Sequence, residues 1–249
     1  MANSTQLLFD SGLQEHFYTW LVDSGYEDPR HVYSLKDGVL RISGDGLGYL
    51  ATKQTYQDYH VRLQFKWGER NWHWGDRIGK ARDSGLFLHA NGPDGNSHDG
   101  NGAFMAAIEC NIFEGAVGDF LLISGDDAHG KLIAPRIKAE TADQPDGEGW
   151  PTFQLGGASK IIERWGRLNH RFKSTEWKDV TGFRGLHEVT VAGAWNQLEC
   201  RCKGDQILVF VNHTLVNKAR SVWPNKGRIL LQCEGSEIYF RSMEIRQPV

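Results

Sequence analysis

Apolar and polar residues alternate along much of this chain, and the alternation predicts β-strands. In residues 59–67 every second side chain is apolar over the whole segment. A period of two places successive side chains on opposite faces, so one face of such a strand is buried. Segments of similar character, punctuated by Gly or Asx turns, predict strands at 39–43, 49–53, 84–90, 104–113, 120–124, 187–191, 195–203, 206–212, 228–233 and 237–246.

The order of these segments predicts an all-β fold. No segment has a sustained apolar stripe at helical spacing, so helices should be short and peripheral. Lys203-Gly204-Asp205-Gln206 predicts a tight hairpin. Consecutive strands without intervening helices form antiparallel sheets, and this many strands build a sandwich or jelly roll. The 249 residues suffice for one large core, and we predict a single domain over 1–249.

Two long segments interrupt the alternation, at about 68–83 and 125–185, and we interpret them as loop insertions. Loops of this length are usually functional or disordered. Both contain tryptophans, among them Trp72 and Trp177, and disordered segments are poor in aromatics. Indole rings on the rim of a sheet would suit sugar rings, so the insertions predict a carbohydrate cleft. The alternative is that these tryptophans only anchor the loops.

Residues 107–115 place acidic groups on a strand that otherwise has the composition of a core. Glu109 and Asn111 should share one face, while Ile108, Cys110 and Ile112 share the other. A carboxylate buried without a partner is costly, so Glu109 requires one. We therefore expect function on the Glu109 face. An ordinary half-buried strand whose polar side meets water is the alternative.

Charge and composition narrow the classes of partner. The 28 Lys and Arg against 31 Asp and Glu give a formal net charge of −3, which offers no electrostatic reason to expect nucleic acid or an anionic membrane. No apolar run approaches the length of a membrane span, and residues 1–10 lack the pattern of a secretory signal. We expect a cytoplasmic location, or a periplasmic or secreted one if a signal has been removed. The oligomeric state is left open.

The four cysteines predict buried thiols rather than a disulfide framework. Cys110, Cys200, Cys202 and Cys233 all lie in apolar, β-like segments. Neighbours at i and i+2 on a strand are poorly placed for a bridge, and no CxxC pair suggests zinc. Small buried thiols are the expected outcome.

A series of short motifs extends along nearly the whole chain. In order they are Phe9-Asp10, Leu35-Lys36-Asp37-Gly38-Val39-Leu40, Gly48-Tyr49-Leu50-Ala51-Thr52-Lys53, Tyr56-Gln57-Asp58-Tyr59, Asp83-Ser84-Gly85-Leu86-Phe87-Leu88-His89, Ile108-Glu109-Cys110-Asn111, Ala194-Trp195-Asn196, Leu231-Gln232 and Phe240-Arg241. The order and spacing of these motifs resemble those of the 3-keto-disaccharide hydrolase domain family. The resemblance implies a concanavalin A-like jelly roll, a bacterial setting and action on glycosides whose glucose unit is oxidised at carbon 3.

The implied chemistry follows from the ketone. A carbonyl at carbon 3 acidifies the proton on carbon 2, so a base can remove it and the glycosidic oxygen leaves carbon 1 by β-elimination. Addition of water to the enone completes a net hydrolysis. Such a site needs a base, an electrophile for the enolate oxygen and an acid for the leaving group. A divalent metal chelated by the ketone and a neighbouring hydroxyl would serve as the electrophile, and no organic cofactor is implied.

The candidate residues come from the motifs and the two insertions. Phe87 and His89 should share a face, and pairing of their strand with 104–113 would bring them to Glu109 and Asn111. Gln232 and Glu234 should also share a face. The catalytic candidates are Glu109, His89, His170 and Lys53; the metal-ligand candidates are His89, Glu109 and Glu114; the substrate-binding candidates are Arg82, Asp83, Lys80, Asn111, Trp72 and Gln232.

Two other functions are consistent with the sequence. Glu109-x-Asn111-x-x-Glu114 has the spacing of the Glu-x-Asp-x-x-Glu signature of laminarinase-type retaining glycosidases, with Asn in place of the central acid. There a bulge brings the outer glutamates to one face, as a nucleophile and an acid/base about 5 Å apart. The second alternative is a non-catalytic carbohydrate-binding module, because the same sandwich serves both roles.

Overall fold

The structure is a computed structural model, and it describes residues 5–98, 102–169, 177–185 and 188–246. Almost all regular structure in these residues is strand. The elements are β1 (Thr5–Leu7), α1 (Leu13–His16), β2 (Phe17–Leu21), β3 (Tyr33–Lys36), β4 (Val39–Ile42), β5 (Leu47–Thr52), β6 (Tyr56–Gln57), β7 (Tyr59–Asn71), a 3-10 turn (Trp74–Asp76), β8 (Asp83–Asn91), β9 (Ala106–Phe113), β10 (Phe120–Ile123), β11 (Gly125–Asp126), β12 (Leu132–Ile133), β13 (Arg136–Thr141), β14 (Ala158–Glu163), β15 (Arg167–Leu168), β16 (Asn196–Lys203), β17 (Gln206–Val211), β18 (Thr214–Trp223), β19 (Lys226–Glu234) and β20 (Ser236–Arg246).

The strands form two large antiparallel sheets. The larger sheet has ten strands in the order β14-β13-β18-β17-β16-β7-β20-β4-β3, with β1 beside β20. The smaller has eight in the order β15-β10-β9-β8-β19-β5-β2, with β6 beside β19. The protein is a concanavalin A-like jelly-roll sandwich, and the fold class predicted from the alternation and the resemblance is confirmed.

The main core lies between the two sheets. Val61, Leu63 and Phe65 of β7 are buried there together with Ile108 and Cys110 of β9, which belongs to the other sheet. The four cysteines are free and buried, as predicted. The predicted hairpin is also present, since Lys203 at the end of β16 pairs with Gln206 at the start of β17.

A second apolar cluster covers part of the outer face of the smaller sheet. Phe87 of β8, Ala107 of β9 and Leu230 of β19 pack there against Phe104 and Met105, which precede β9. As a result all eight residues of β9 are buried, on both faces. Glu109 therefore lies in a strand with little access to bulk water.

The second insertion contains strands that the alternation did not reveal. β13 and β14 pair as a hairpin and extend the larger sheet beyond β18. β15 extends the smaller sheet beyond β10. In the described part of the predicted strand 187–191, residues 188–191 are not in a strand. Among the described residues, no helix has the length and apolar character needed to cross a membrane.

Candidate functional site

A cavity of about 480 Å³ lies on the outer face of the smaller sheet, over β9, β8 and β19. Its charged lining consists of the side chains of Asp83, Glu109, Glu148, Glu234, Arg77 and Arg167. Two amides, Asn111 and Gln232, lie among these groups. Successive side chains of a strand point to opposite faces, so every second side chain of these strands points into the cavity.

Gly85 of β8 creates the space in which the central side chains meet. Gly85 pairs with Asn111 of β9 on one side, and on the other side the adjacent residue Leu86 pairs with Leu231 of β19. A Cβ atom at Gly85 would lie 2.5 Å from Oε1 of Glu109 and 2.9 Å from Oε1 of Gln232. Glu109 and Gln232 therefore reach across β8 from both sides because this residue has no side chain.

Glu109 is a strongly perturbed acid of the cavity. It is 3% exposed, and burial raises the pKa of its carboxyl well above the ordinary value for glutamate. The carboxylates of Asp83 and Glu234 raise this pKa further, while the guanidinium of Arg167 lowers it. A carboxyl with a raised pKa is a stronger base once ionised, so Glu109 is suited to accept a proton from a substrate.

Arg167 presents unsatisfied donors to the same cavity. It lies on the two-residue strand β15, opposite Leu121 of β10. Its Nε and Nη2 atoms are buried, and within the described part of the chain neither has a hydrogen-bond partner. Buried donors are normally paired, so this guanidinium is positioned to bind an acceptor oxygen of a ligand.

The two amides offer acceptors next to these donors. Asn111 Oδ1 and Gln232 Oε1 are buried and lack a hydrogen-bond donor among the residues that the structure describes. The amide nitrogen of Gln232 donates to Glu234 Oε2 at 2.7 Å, which fixes the orientation of the group. A ligand with several hydroxyl groups would satisfy such a set of donors and acceptors.

An aromatic wall completes the cavity. The rings of Phe113 and Trp177 are 5.0 Å apart between centroids, and the guanidinium of Arg77 lies 5.7 Å from the Phe113 ring. The Trp177 indole N–H donates to the backbone oxygen of Glu114 at 3.0 Å, which holds the ring against the end of β9. The wall offers a flat apolar surface beside the polar groups.

Four of the sequence-predicted residues meet in this cavity. Glu109, Asp83, Asn111 and Gln232 all line it, although they come from three strands. The predictions that Glu109 and Asn111 share one face, and that Gln232 and Glu234 share one, are confirmed. Arg167 did not emerge from the sequence, because a two-residue strand inside a long insertion has no recognisable period.

His89 does not reach the cavity, and the prediction that it shares a face with Phe87 is wrong. The pairing of β8 with β9 shifts register between Leu88 and Asn91, and His89 has a φ of 56°. This bulge turns the imidazole into the core between the sheets, where it packs 5.6 Å from the Tyr59 ring and its Nδ1–H donates to Pro224 O at 2.9 Å. Burial lowers the pKa of His89 to about 4.

Glu114 is buried and forms an ion pair with the half-buried Arg82 outside the cavity. Arg82 Nη2 donates to Glu114 Oε1 at 2.6 Å, and Arg82 Nη1 donates to the backbone oxygen of Gly68 at 2.7 Å. The register of β8 with β9 is regular from Asp83 to Leu88, so no bulge brings Glu114 to the face of Glu109. The described residues thus give no support for a two-glutamate site at this pair.

The predicted metal ligands do not converge. His89 lies in the core, Glu114 is held by Arg82, and only Glu109 of the three lines the cavity. Among the described residues, no group of three or more His, Cys, Asp or Glu side chains is placed to hold a metal ion. The set of His89, Glu109 and Glu114 therefore does not fit a metal centre.

The remaining candidates lie elsewhere. Lys53 Nζ donates to Gln14 O at 2.6 Å and lines a separate cavity of about 510 Å³ beside β2. Lys80 forms an ion pair with Asp76. The Trp72 indole N–H donates to Ser43 O at 2.9 Å. None of these three lines the Glu109 cavity, and His170 lies outside the described residues.

Fold and cavity together define a class of protein. A jelly-roll sandwich with carboxylates, unsatisfied hydrogen-bonding groups and an aromatic wall in one cavity is equipped to bind a carbohydrate. The model of the family described as the 3-keto-alpha-glucoside-1,2-lyase-like domain matches residues 4–246. The chain belongs to this family, which confirms the resemblance found in the motifs and supports a carbohydrate-active function.

Solved structures with the same fold match almost the whole chain. A candidate glycosyl hydrolase from Parabacteroides distasonis has 18% sequence identity and a TM-score of 0.50, with 99% of this chain and 100% of that chain covered. A second one from the same organism has 14% identity and a TM-score of 0.53, with 98% and 94% covered. At these identities the likeness shows the fold alone. Among curated proteins, no sequence matches this chain significantly.

Proposed function

We propose that this protein cleaves glycosides whose glucose unit is oxidised at carbon 3, by β-elimination with Glu109 as the base. One observation carries the proposal. Glu109 is a buried carboxyl with a raised pKa, and it lines a cavity that also holds the unsatisfied donors of Arg167. A base beside an electrophile for an oxygen atom is what proton removal next to a ketone requires.

In the first step the Glu109 carboxylate takes the proton from carbon 2. The electron pair of the broken C–H bond forms a carbon–carbon double bond to carbon 3, and the ketone oxygen becomes an enolate. As the enolate collapses back to a ketone, the double bond moves to carbons 1 and 2 and the glycosidic oxygen leaves carbon 1. The proton held by Glu109 is then available to the departing oxygen, so the same carboxyl serves as acid and base.

Arg167 supplies the electrophile in this proposal. Two N–H groups on one planar guanidinium suit an oxygen on which negative charge develops, and a charge-assisted hydrogen bond strengthens as that charge forms. Arg82 and Lys80, which the sequence indicated as substrate-binding candidates, have partners outside the cavity. Asn111 and Gln232 would orient the remaining hydroxyl groups, and Phe113 and Trp177 would contact the apolar side of a ring.

The carbohydrate-binding module and the laminarinase-type glycosidase explain less of the cavity. A binding module gains nothing from a buried carboxyl with a raised pKa, because an ionisable group in such a place only costs stability. A retaining glycosidase built on Glu109 and Glu114 needs both carboxyls at one bond, and Glu114 is engaged by Arg82. Both features favour the keto-glycoside reaction.

A comparison of two substrates tests the proposed function. A 3-keto-glucoside and the same glucoside without the ketone are incubated with the protein, and aglycone release and the absorbance of the conjugated enone are followed. The proposal predicts release from the keto-glucoside alone. Cleavage of the unoxidised glucoside at a similar rate would contradict it. Glu15→Gln, a change at an exposed acid of α1, serves as the control for Glu109→Gln.

A further inference from the structure

The outer face of the larger sheet has a charge opposite to that of the whole chain. Alternate residues of its strands point away from the core, and the pairings bring these residues together on one face. In the half formed by β13, β18 and β16, the basic side chains are those of Arg136, Lys138, Lys218, Arg220, Arg201 and Lys203. In the other half they are those of Arg62, Lys66, Arg241, Arg246, Arg41 and Lys36.

Few acids oppose these twelve cations. Five glutamates belong to the face, namely Glu140, Glu163, Glu199, Glu237 and Glu244. The described strands thus present a surplus of seven positive charges, in a chain whose formal net charge is −3.

Three of these glutamates, Glu199, Glu237 and Glu244, are buried beneath the cations, whereas Glu163 is exposed. The side chain of Glu199 is 8% exposed while that of its partner Arg201 is 53% exposed. For Glu244 and Arg246 the exposed fractions are 9% and 43%. Over β16 and β20, a molecule that approaches this face therefore meets guanidinium groups before it meets a carboxylate.

The cations form a row across the strands. Lys218 pairs with Leu208, Leu208 with Arg201, Arg201 with His60, and His60 with Arg246. Lys218, Arg201 and Arg246 therefore lie on alternate strands, β18, β16 and β20, and alternate strands are about 10 Å apart. This spacing is close to the length of a disaccharide unit.

We propose that the outer face of the larger sheet binds an acidic polysaccharide, of the class that carries one anionic group in each disaccharide repeat. The row of cations matches such a polymer in both charge and spacing. The proposal is independent of the cavity chemistry, since the face and the Glu109 cavity lie on opposite sides of the sandwich.

Nucleic acid fits this face less well. Duplex DNA carries one phosphate per about 1.7 Å of its axis, which is far denser than the row. Single strands are bound largely by stacking of bases on aromatic rings. The rings available here are covered by cations, since the Arg201 guanidinium lies 4.6 Å from the Phe210 ring and that of Arg241 lies 4.3 Å from the Trp195 ring.

Calorimetric titration of the full chain with hyaluronan oligosaccharides tests the proposal. Hyaluronan has one carboxylate per disaccharide, and dextran, duplex DNA and phosphatidylglycerol vesicles are the comparison ligands. We expect binding to hyaluronan that weakens as salt is added, and none to dextran. Absence of hyaluronan binding at low salt, or tighter binding to DNA or to vesicles at the same salt concentration, would overturn the proposal.

Two matched double variants locate the binding. Lys138→Gln with Lys218→Gln removes two charges from the face, and Lys131→Gln with Lys226→Gln removes two exposed charges elsewhere. The first should weaken hyaluronan binding by roughly fivefold, given the modest strength of exposed charge pairs, and the second should not. Both should keep the melting temperature and the cleavage activity. Equal weakening in the two variants would refute the assignment to this face.

Discussion

At the residue scale, the proposed chemistry depends on an acid that the fold keeps from water. Glu109 belongs to a strand whose other seven residues are also buried, and its carboxyl is accommodated because Gly85 on the neighbouring strand has no side chain. The sequence indicated Glu109, because a lone carboxylate among small apolar residues stands out. It could not indicate Arg167, whose two donors become meaningful only when β15 lies beside β10.

Glu109→Gln should separate function from stability. We expect activity on a 3-keto-glucoside to fall by about a hundredfold or more, the range of a lost general base. Because the folded-state pKa of Glu109 is raised, its stabilising effect is fully present below the ordinary pKa of glutamate and is lost as pH rises through the folded-state value. Denaturation at acidic and alkaline pH should therefore show the variant gaining stability relative to the wild type as pH rises. A constant difference would argue against the buried, proton-binding carboxyl.

Arg167→Gln should lower activity and also shift its pH dependence. Loss of an oxyanion donor costs about a hundredfold or more in kcat. Arg167 lowers the pKa of Glu109, so its removal should move the rising limb of the pH profile to higher pH. The profile of kcat against pH measures both effects. A fall in kcat with an unmoved limb would mean that Arg167 does not act beside Glu109.

Arg82→Gln provides the contrast to Arg167→Gln. Arg82 pairs with the buried Glu114 away from the cavity, so its removal leaves an uncompensated charge. We expect a loss of unfolding free energy of about 3–5 kcal/mol, measured by chemical denaturation, with the pH profile of the remaining activity unchanged. A stable Arg82 variant with an altered pH profile of activity would instead show that Arg82 acts at the Glu109 cavity.

At the element scale, the alternation revealed most of the long strands but missed β18, the short strands β2 and β3, and the strands of the second insertion. β16 was predicted within one residue, whereas β7 continues four residues beyond its predicted end. β18 was missed, because its pairing with β17 shifts register and Ser221 within it has a φ of 49°. The bulge at His89 similarly reversed the expected direction of that side chain. Bulges depend on how two strands pair, so one strand's sequence does not reveal them.

The side chains of Glu109 and Gln232 meet above Gly85 of β8, so Gly85→Ala should have a specific effect. The new methyl group would lie 2.5 Å from Glu109 Oε1, so the carboxyl must move and activity should fall by about tenfold or more, as small misplacements of catalytic groups do. Gly12→Ala is the matched control, since its Cβ would meet no atom within 4 Å and Gly12 has a φ of −62°. Steady-state kinetics of both variants decide the matter. Wild-type activity in Gly85→Ala would show that the Glu109 position is not critical.

The buried His89 predicts a loss of stability in acid. Its folded-state pKa of about 4 lies below the ordinary value, so its stabilising effect is present above that ordinary value and is lost as pH falls from about 6.5 through 4. The loss should approach about 3 kcal/mol, from the size of the shift. His89→Asn, with a residue that tolerates positive φ, should flatten this part of the curve of unfolding free energy against pH. An unchanged curve would exclude His89 as the cause.

At the scale of the whole molecule, net charge concealed how charge is distributed. The value of −3 gave no reason to expect a polyanionic partner, yet the outer face of the larger sheet carries twelve cations against five acids, three of which are buried. The period of two that predicted the strands also sorts charges between faces, but only the strand order shows which strands lie side by side. The fold class and family could therefore be predicted from the sequence, whereas this face could not.

The two functions that we propose belong to opposite outer faces of the sandwich. The smaller sheet has the Glu109 cavity with its aromatic wall, and the larger sheet has the row of cations. An acidic polysaccharide bound on one face would leave the cavity on the other face open. Each proposal can then be tested with variants that leave the other face intact.

Incorporation of deuterium at carbon 2 distinguishes elimination from direct hydrolysis of the glycosidic bond. A 3-keto-glucoside is cleaved in heavy water, and proton NMR follows the carbon 2 signal of the released sugar. Elimination by Glu109 predicts that the enone forms and that deuterium enters at carbon 2 when water adds, with neither event in Glu109→Gln. Cleavage that leaves the carbon 2 proton in place would contradict the account, because the bond would then have broken without removal of that proton.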